Sequence, residues 1–463
     1  MFPSDANPAG NVFGGEILKH IDMVAGIVAQ RHSQSNAVTA SMDSVNFIKP
    51  VFVGNVLKLN ARINYVHNSS MEIETSRIQL EYDLIINPDD YQKDKMLEFI
   101  NANYGETKSD LVLSYSKELF YSFIKPDNLC IVFYTVGNRN PDKINFEKMI
   151  GIIIAKKHQL FIRDYSDKTK LENESCFKTY NCIDVDFLCL VKQLRNMHVS
   201  SYMINVVTKE CMIQYNKTVP CAVYTVNKSL KSDSFCKKSY FHRPICIKNM
   251  LESEMLSISE DDQYTYDTSL QLLKRIYNSF SYPKNFFNDM KLESFTVLDN
   301  FELSKQDDLF IDKLYDKLVD YCHNNYDIFE YKSKDEFVNL LNNPVYLKFV
   351  TLDKNNNVLD FLCFFKLDTY NIKLKTKSRN GNLYSMFLEK YSNIRLSYLL
   401  EAITEYCYKK DVYDVITVMN IFDAKTDLYN TFKLLKASAD LYYYVYNIQI
   451  TPIPPHKNGL ITI

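Results

Sequence analysis

The chain has 463 residues, 46% of them hydrophobic, enough to bury two or three cores and too many for disorder to dominate. Lys+Arg 54 against Asp+Glu 56 leave a formal charge of -2, which gives a polyanion no bulk attraction and argues against a nucleic-acid partner. The 11 cysteines form no CxxC pair and the eight histidines include no pair at helical metal-site spacing, so reduced thiols and no structural metal are expected.

The start, MFPSDANPAG, lacks the basic and apolar regions of a secretory signal. The longest apolar runs, such as Met149 to Ala155, are too short for a transmembrane segment, so a cytoplasmic location is expected. Five of the ten glycines (Gly10, Gly14, Gly15, Gly26, Gly54) fall in the first 54 residues, a composition break that marks a boundary. From Gly14 the run GGEILKHIDMVAGIVAQRH puts Ile17, Ile21, Val24, Ala25 and Val28 on one stripe, which predicts a mostly buried helix with Asp22 at its middle. AVTASMDSVNFIKPVFVG and NVLKLNARINYVH, bounded by Pro50, Gly54 and the HNSS turn, predict strands in an antiparallel meander.

Beyond about residue 77 helical and strand segments alternate, with turns at KPDN and NRNPDK and an inter-lobe connection at YPKNFFND near residue 282. The pattern predicts an α/β (α+β) fold of two lobes split at about residue 285. In NCIDVDFLCLVKQLRNMHVSSYMINVVTKECM, Ile183 to Leu190 reads as a strand and Lys192 to His198 as a polar loop. Ser200 onward reads as a helix with Val199, Met203, Val206 and Val207 on its apolar side. A strand delivering a polar loop into a helix N-terminus offers unpaired N–H groups and a positive dipole end, a cradle that suits a coenzyme A pyrophosphate. The same pattern also describes an ordinary strand–loop–helix unit.

The segment IDVDFLCLVKQLR (Ile183 to Arg195) resembles the signature of glycylpeptide N-tetradecanoyltransferases, the protein N-myristoyltransferases. AVYT (Ala222 to Thr225), SYFHR (Ser239 to Arg243), VLDFLCFFKL (Val358 to Leu367), LYYYVYN (Leu441 to Asn447) and the terminal KNGLITI follow in the same order. LEFINANY (Leu97 to Tyr104) and LSYSKELF (Leu113 to Phe120) match upstream. The resemblance implies two fused GNAT-like lobes, 77–285 for acyl-CoA and 286–463 for peptide. It also implies myristoyl-CoA as co-substrate, a protein or peptide N-terminal glycine as acceptor and no further cofactor.

In that family the acceptor amine attacks the thioester directly, which requires a base and an oxyanion hole. The resemblance implies the backbone amides of Phe187 and Leu188 as oxyanion donors and the C-terminal carboxylate, here that of Ile463, as base. It places Leu190, Asn196, His198, Val199 and Ser200 with Phe187 and Leu188 along the acyl-CoA, and Asp186, Thr225, Tyr240 and His242 around the acceptor's first residues. Several positions depart from the family. Asn196, Met197 and His198 stand where a Ser and two basic residues are expected, and Asp186 replaces an Asn. Cys363 and Phe365 replace a Ser and a Tyr, and LLKASAD replaces a Gly-rich turn.

The first 76 residues carry a second resemblance. SDANPAGNVFGGEILKHIDMVAGIVAQRH, VTASMDSVNFIKPVFVGNVL and SSMEIE are similar to hot-dog-fold acyl-CoA thioesterases. That resemblance implies that Asp22 activates water or polarises the thioester carbonyl while Asn7 or Asn11 helps bind the oxyanion. A complete hot-dog sheet needs further strands around its helix, so 1–76 is expected to be a partial hot-dog segment. The leading expectation is therefore myristoyl transfer to N-terminal glycine. Its alternatives are thioester hydrolysis by the hot-dog segment, and acyl-CoA or peptide binding without turnover.

Overall fold

The computed structural model describes residues 6–7, 10–43, 45, 51, 59–76, 80–105, 110–135, 140, 143–164, 177–195, 199–215, 219, 221–230, 232–257, 266–280, 292–298, 308–353, 355, 357–389, 392–421 and 428–460. In chain order the first elements are α1 (Gly14–Ser33), β1 (Asn60–His67), β2 (Ser70–Ser76), β3 (Leu80–Ile85), α2 (Asp90–Asn103), β4 (Leu111–Ser114), α3 (Lys117–Phe123) and β5 (Leu129–Thr135). Next come β6 (Gly151–Arg163), β7 (Phe177–Leu190), α4 (Val199–Gln214), β8 (Cys221–Val226), β9 (Cys236–Pro244), α5 (Ile247–Glu252), α6 (Tyr266–Tyr277) and β10 (Leu292–Leu298). The remainder are α7 (Asp308–Asn325), β11 (Ile328–Tyr331), α8 (Lys334–Asn342), β12 (Tyr346–Asp353), β13 (Val358–Lys366), β14 (Asp368–Asn371), β15 (Thr376–Ser378), β16 (Asn380–Leu388), α9 (Asn393–Lys410), β17 (Val415–Met419), α10 (Leu428–Thr431) and β18 (Leu435–Tyr446). They fall into two compact units: 1–85, 131–153 and 190–209, and 86–130, 154–189 and 210–463. The connection expected near residue 285 lies outside the described residues.

In the first unit α1 forms where the 3.6-residue stripe predicts it and lies against the β1–β2 hairpin. Only Ile17 and Ala29 of this helix are buried, while Met23 and Ile27 are about half exposed. The expected mostly buried helix is thus partly exposed. The hairpin turns at Asn68–Ser69, within the predicted HNSS. Its Arg62 donates to the buried Glu74 through Nε (3.0 Å) and Nη2 (2.7 Å) and lies 5.7 Å from the Tyr202 ring centre. Tyr202, on α4, donates to the Leu80 carbonyl of β3 and meets the Phe133 ring of β5 edge-on. Aromatic and charged contacts therefore tie the hairpin to α4.

In the second unit the strands run β10-β12-β13-β16-β17-β9-β18-β8-β7-β6, with β11 on β6, beside a small sheet β15-β14-β4. Several of its helices begin at a side-chain cap. Asp89 and Gln92 make a capping box at α2, Ser333 and Glu336 make one at α8, and the Ser392 side chain accepts from the Arg395 amide at α9. The fully buried Asp360 on β13 accepts from Arg395 Nε (2.7 Å), Arg395 Nη2 (2.5 Å) and the Glu389 amide (3.3 Å), and also from the Thr351 hydroxyl.

That pair gives a stability test. Arg395→Met alone leaves a buried carboxylate uncompensated and should destabilise the chain by about 3–5 kcal/mol. Arg395→Met with Asp360→Leu should recover most of the loss in urea unfolding. A double variant as unstable as the single one would contradict the pairing.

Candidate functional site

The candidate site is built on one face of the second unit's sheet. Side chains alternate along a strand, so residues two apart share a face. Leu160, Cys182, Cys221, Val223, Cys236, Ile328, Leu441, Tyr443 and Leu460 form one apolar cluster. The same alternation continues from these residues to Lys156 and His158 on β6, Asp184 and Asp186 on β7, Thr225 on β8, Lys238, Tyr240 and His242 on β9, and Glu330 on β11. Burial in β6 shows the pattern directly, with Lys157 and Gln159 exposed and His158 and Leu160 buried.

Phe187 points the other way from Asp186 and is 1% exposed. Its ring centre lies 5.8 Å from Tyr104, 5.3 Å from Tyr115 and 5.7 Å from Phe120, all edge-on. The helices that supply Tyr104 and Phe120 are α2, at its C-cap, and α3. Burial pushes the Tyr104 hydroxyl up to about 12, assisted by Cys189 and Asp186. Strands β7 and β8 pair over Cys182–Asp184 and Cys221–Val223. Asp186, Phe187 and Leu188 follow that ladder directly.

Asp186 is half-buried, and its carboxyl is pushed up to about 7 by burial, with Lys156 pulling it down and Asp184 and Glu330 pushing it up. Glu330 lies 3.2 Å from Lys156 Nζ and 3.3 Å from Lys332 Nζ. Burial disfavours its charge, yet these two ammonium groups hold the carboxyl well below the usual range. His158 Nδ1 is 3.6 Å from Glu330, beyond hydrogen-bond reach. Among the described residues, both His158 nitrogens and Asp184 Oδ1 lack a hydrogen-bond partner. Burial raises Asp184 as well, against the opposing pull of His158 and Lys156.

Of the other expected acceptor-site residues, Tyr240 is half-buried and pushed up to about 12 by burial, with Tyr104 adding to it. His242 Nδ1 lies 2.9 Å from the Thr417 hydroxyl of β17, and burial lowers the ring to about 4, so it is neutral at pH 7. Thr225 pairs with Tyr443 across β8 and β18. A cavity of about 280 Å³ opens in the same unit, with Lys238, Glu330, Lys332, Tyr384, Asn458 and Gly459 in its wall. The last described segment runs along it, pairing Asn458 with Ile328 in parallel.

Of the expected acyl-CoA residues, Leu190 is buried and accepts from Arg195 Nε (3.2 Å), Val199 is buried at the start of α4, and Ser200 is exposed. Val199, Met203, Val206 and Val207 are all buried, as the helix pattern predicts. Asn196, Met197, His198 and Ile463 lie outside the described residues. In the first unit the Asn7 side chain accepts from the Asn11 amide (3.0 Å), and the Asp22 carboxylate accepts from the Thr39 hydroxyl. Asp22 stands about 12 Å along the helix from its first residue, so the helix itself does not bring it to Asn7 or Asn11.

Sequence reasoning missed Lys156, His158, Lys238, Glu330 and Lys332. The available signal was charged residues at inward positions of strands whose other inward positions are apolar.

Residues 9–76 match the thioesterase superfamily family model. Residues 58–236 match that of the myristoyl-CoA:protein N-myristoyltransferase N-terminal domain, so the two share residues 58–76. The human cytosolic acyl coenzyme A thioester hydrolase is 47% identical over 72 residues, which cover 16% of this chain and 19% of the relative. An uncharacterized acyl-CoA thioester hydrolase of Bacillus subtilis is 42% identical over 73 residues, 16% of this chain and 42% of that one. The chain thus spans less than half the length of either relative. A crystal structure of Saccharomyces cerevisiae N-myristoyltransferase with bound myristoyl-CoA superposes with a TM-score of 0.61 at 19% identity, covering 83% of this chain and 82% of that one. Among the described residues, no helix is long and apolar enough to cross a membrane. The chain therefore has the mixed α/β fold of N-myristoyltransferase, preceded by a thioesterase-superfamily segment at residues 9–76.

Proposed function

We propose that this protein transfers a myristoyl group from myristoyl-CoA to the N-terminal glycine amine of a protein or peptide. The observation that carries this reading is the single sheet face that Asp186, Thr225, Tyr240 and His242 share by strand alternation with the apolar cluster containing Leu460. A carboxylate among tyrosines holds the acceptor's ammonium, and the neutral His242 adds no competing positive charge. The Ile463 carboxylate takes a proton from that ammonium, and the free amine attacks the thioester carbon. Backbone N–H groups of Phe187 and Leu188 receive the developing negative charge. As the tetrahedral intermediate collapses the nitrogen gives up its extra proton, the amide forms and the C–S bond breaks, and the leaving CoA thiolate takes up that proton. Leu190, Val199 and Ser200, with Asn196 and His198, serve the acyl-CoA. Asn196–His198 carry fewer charges than a phosphate loop usually has, so the backbone and the α4 dipole bear more of the pyrophosphate binding.

A second reading, thioester hydrolysis by residues 9–76, is favoured by their 47% identity with a thioester hydrolase. There Asp22 polarises water or carbonyl, with Asn7 or Asn11 as oxyanion donor. Hydrolysis requires no peptide, and Asp22→Asn abolishes it while leaving peptide acylation intact.

The Asp186 carboxyl, raised in the folded chain, loses its negative charge as pH falls through about 7. Its hold on the acceptor ammonium is lost with it. Between pH 5.5 and 7.5, below the ordinary α-amino range of about 7.7–8.0, the peptide KM should rise several-fold on acidification. Asp186→Asn should flatten that limb in initial-rate measurements, and an unchanged limb would show that another group controls it.

The tail supplies a separate test. Adding residues after Ile463, or deleting the last three, should lower peptide acylation by at least roughly a hundredfold. Acyl-CoA affinity should stay within a few fold. An extended chain that acylates at the original rate would remove the Ile463 carboxylate from the mechanism.

A further inference from the structure

Lys238 lies at an inward position of β9, is 4% exposed, and has no assigned role in the reaction described above. Its Nζ donates to the carbonyls of Asn458 (2.6 Å) and Leu460 (2.9 Å). Tyr443, itself fully buried, donates its hydroxyl to the same Leu460 carbonyl (3.3 Å), and the Lys238 ammonium stands 5.3 Å from the Tyr443 ring centre.

The segment these groups grip is also held by its backbone. Asp327 donates to the Lys457 carbonyl (2.8 Å), Gly459 donates to the Ile328 carbonyl (2.8 Å), and the Leu460 amide donates to Asn458 Oδ1 (2.9 Å). A Cβ at Gly459 would fall 2.6 Å from the Tyr326 ring, so glycine is what lets the segment lie this close to α7 and β11. These bonds fix Lys457 and Gly459 to one side. Among the described residues, Lys238 and Tyr443 reach across from β9 and β18 to the carbonyls on the other.

We infer that Lys238 is a positioning residue that anchors the chain's last segment against the cavity, and so sets where the residues after Leu460 begin. The inference rests on the proposed role of the Ile463 carboxylate and extends it to a residue outside the terminal motif. Two carbonyl acceptors at 2.6 and 2.9 Å offset the desolvation of a buried ammonium, a cost that a purely apolar filler would avoid. Burial lowers Lys238 to about 8, which leaves it mostly charged at neutral pH. Lys238 also lines the cavity, so its ammonium is within reach of a small molecule entering there.

The test uses the full chain with Lys238→Ala. Removing the side chain deletes three methylenes and an ammonium, the atoms of propylammonium. Hydrogen exchange in the 457–460 segment should accelerate at least tenfold, and added propylammonium chloride should restore much of the protection. In acyl-transfer assays kcat should fall at least tenfold, with acyl-CoA dissociation constant and peptide KM within about threefold. Tail exchange unchanged by Lys238→Ala, or accelerated without propylammonium rescue, would overturn the inference. If the unaltered chain transfers no acyl group while exchange accelerates and is rescued, the transferase reading fails and the anchoring stands. Should Lys238→Ala not fold, Tyr443→Phe removes the second bond to Leu460 and keeps the ring. It should accelerate tail exchange about threefold, and no acceleration would overturn the inference.

Discussion

The pairing of the Glu330 carboxylate with the ammonium groups of Lys156 and Lys332 is the contact on which the candidate site depends. Three carboxyl groups, Asp184, Asp186 and Glu330, share a largely buried sheet face with these lysines and His158. An unpaired buried charge costs several kcal/mol. With Glu330 ionised and doubly paired, the remaining desolvation falls on Asp184 and Asp186, both pushed upward. That leaves Asp186, beside the tyrosines, able to change protonation near neutrality. Perturbed carboxyl groups of this kind concentrate at functional sites.

The β1–β2 hairpin has a comparable double role in the first unit. It faces α1 of the thioesterase-like segment and, through Arg62, meets Tyr202 on α4. The family models overlap over 58–76 for the same residues that make both contacts. One hairpin thus contacts both α1 and α4. Met23 and Ile27 of α1 remain about half exposed.

Periodicity made several local elements legible, although Ala37–Asp43, expected to begin a strand, is irregular and most of the remainder of that run lies outside the described residues. The stripe of α1 and the buried face of α4 follow from spacing, and the HNSS turn follows from its residue types. The β7 strand was also legible, although it begins at Phe177, earlier than its apolar run. The ionic cluster was not legible. Lys156 and Glu330 are far apart in the chain, and a lysine in a strand ordinarily signals a solvated face. Only the sheet order, which places β11 on β6, turns those two residues inward toward one another. Asp186 and Tyr240 were found because motif order named them. Tyr104 and Tyr115, which interact electrostatically with Asp186, came from the C-cap of α2 and the segment after β4, which no local pattern links to β7.

The central claim is that one chain carries out acyl transfer to an amine. The most direct measurement is the intact mass of a glycine-starting peptide incubated with the full chain and myristoyl-CoA, with free CoA followed in parallel samples lacking peptide. The account predicts a myristoylated peptide, with CoA released in equal amount and only when peptide is present. CoA released equally without peptide, or myristoyl-CoA bound with neither product formed, would contradict it.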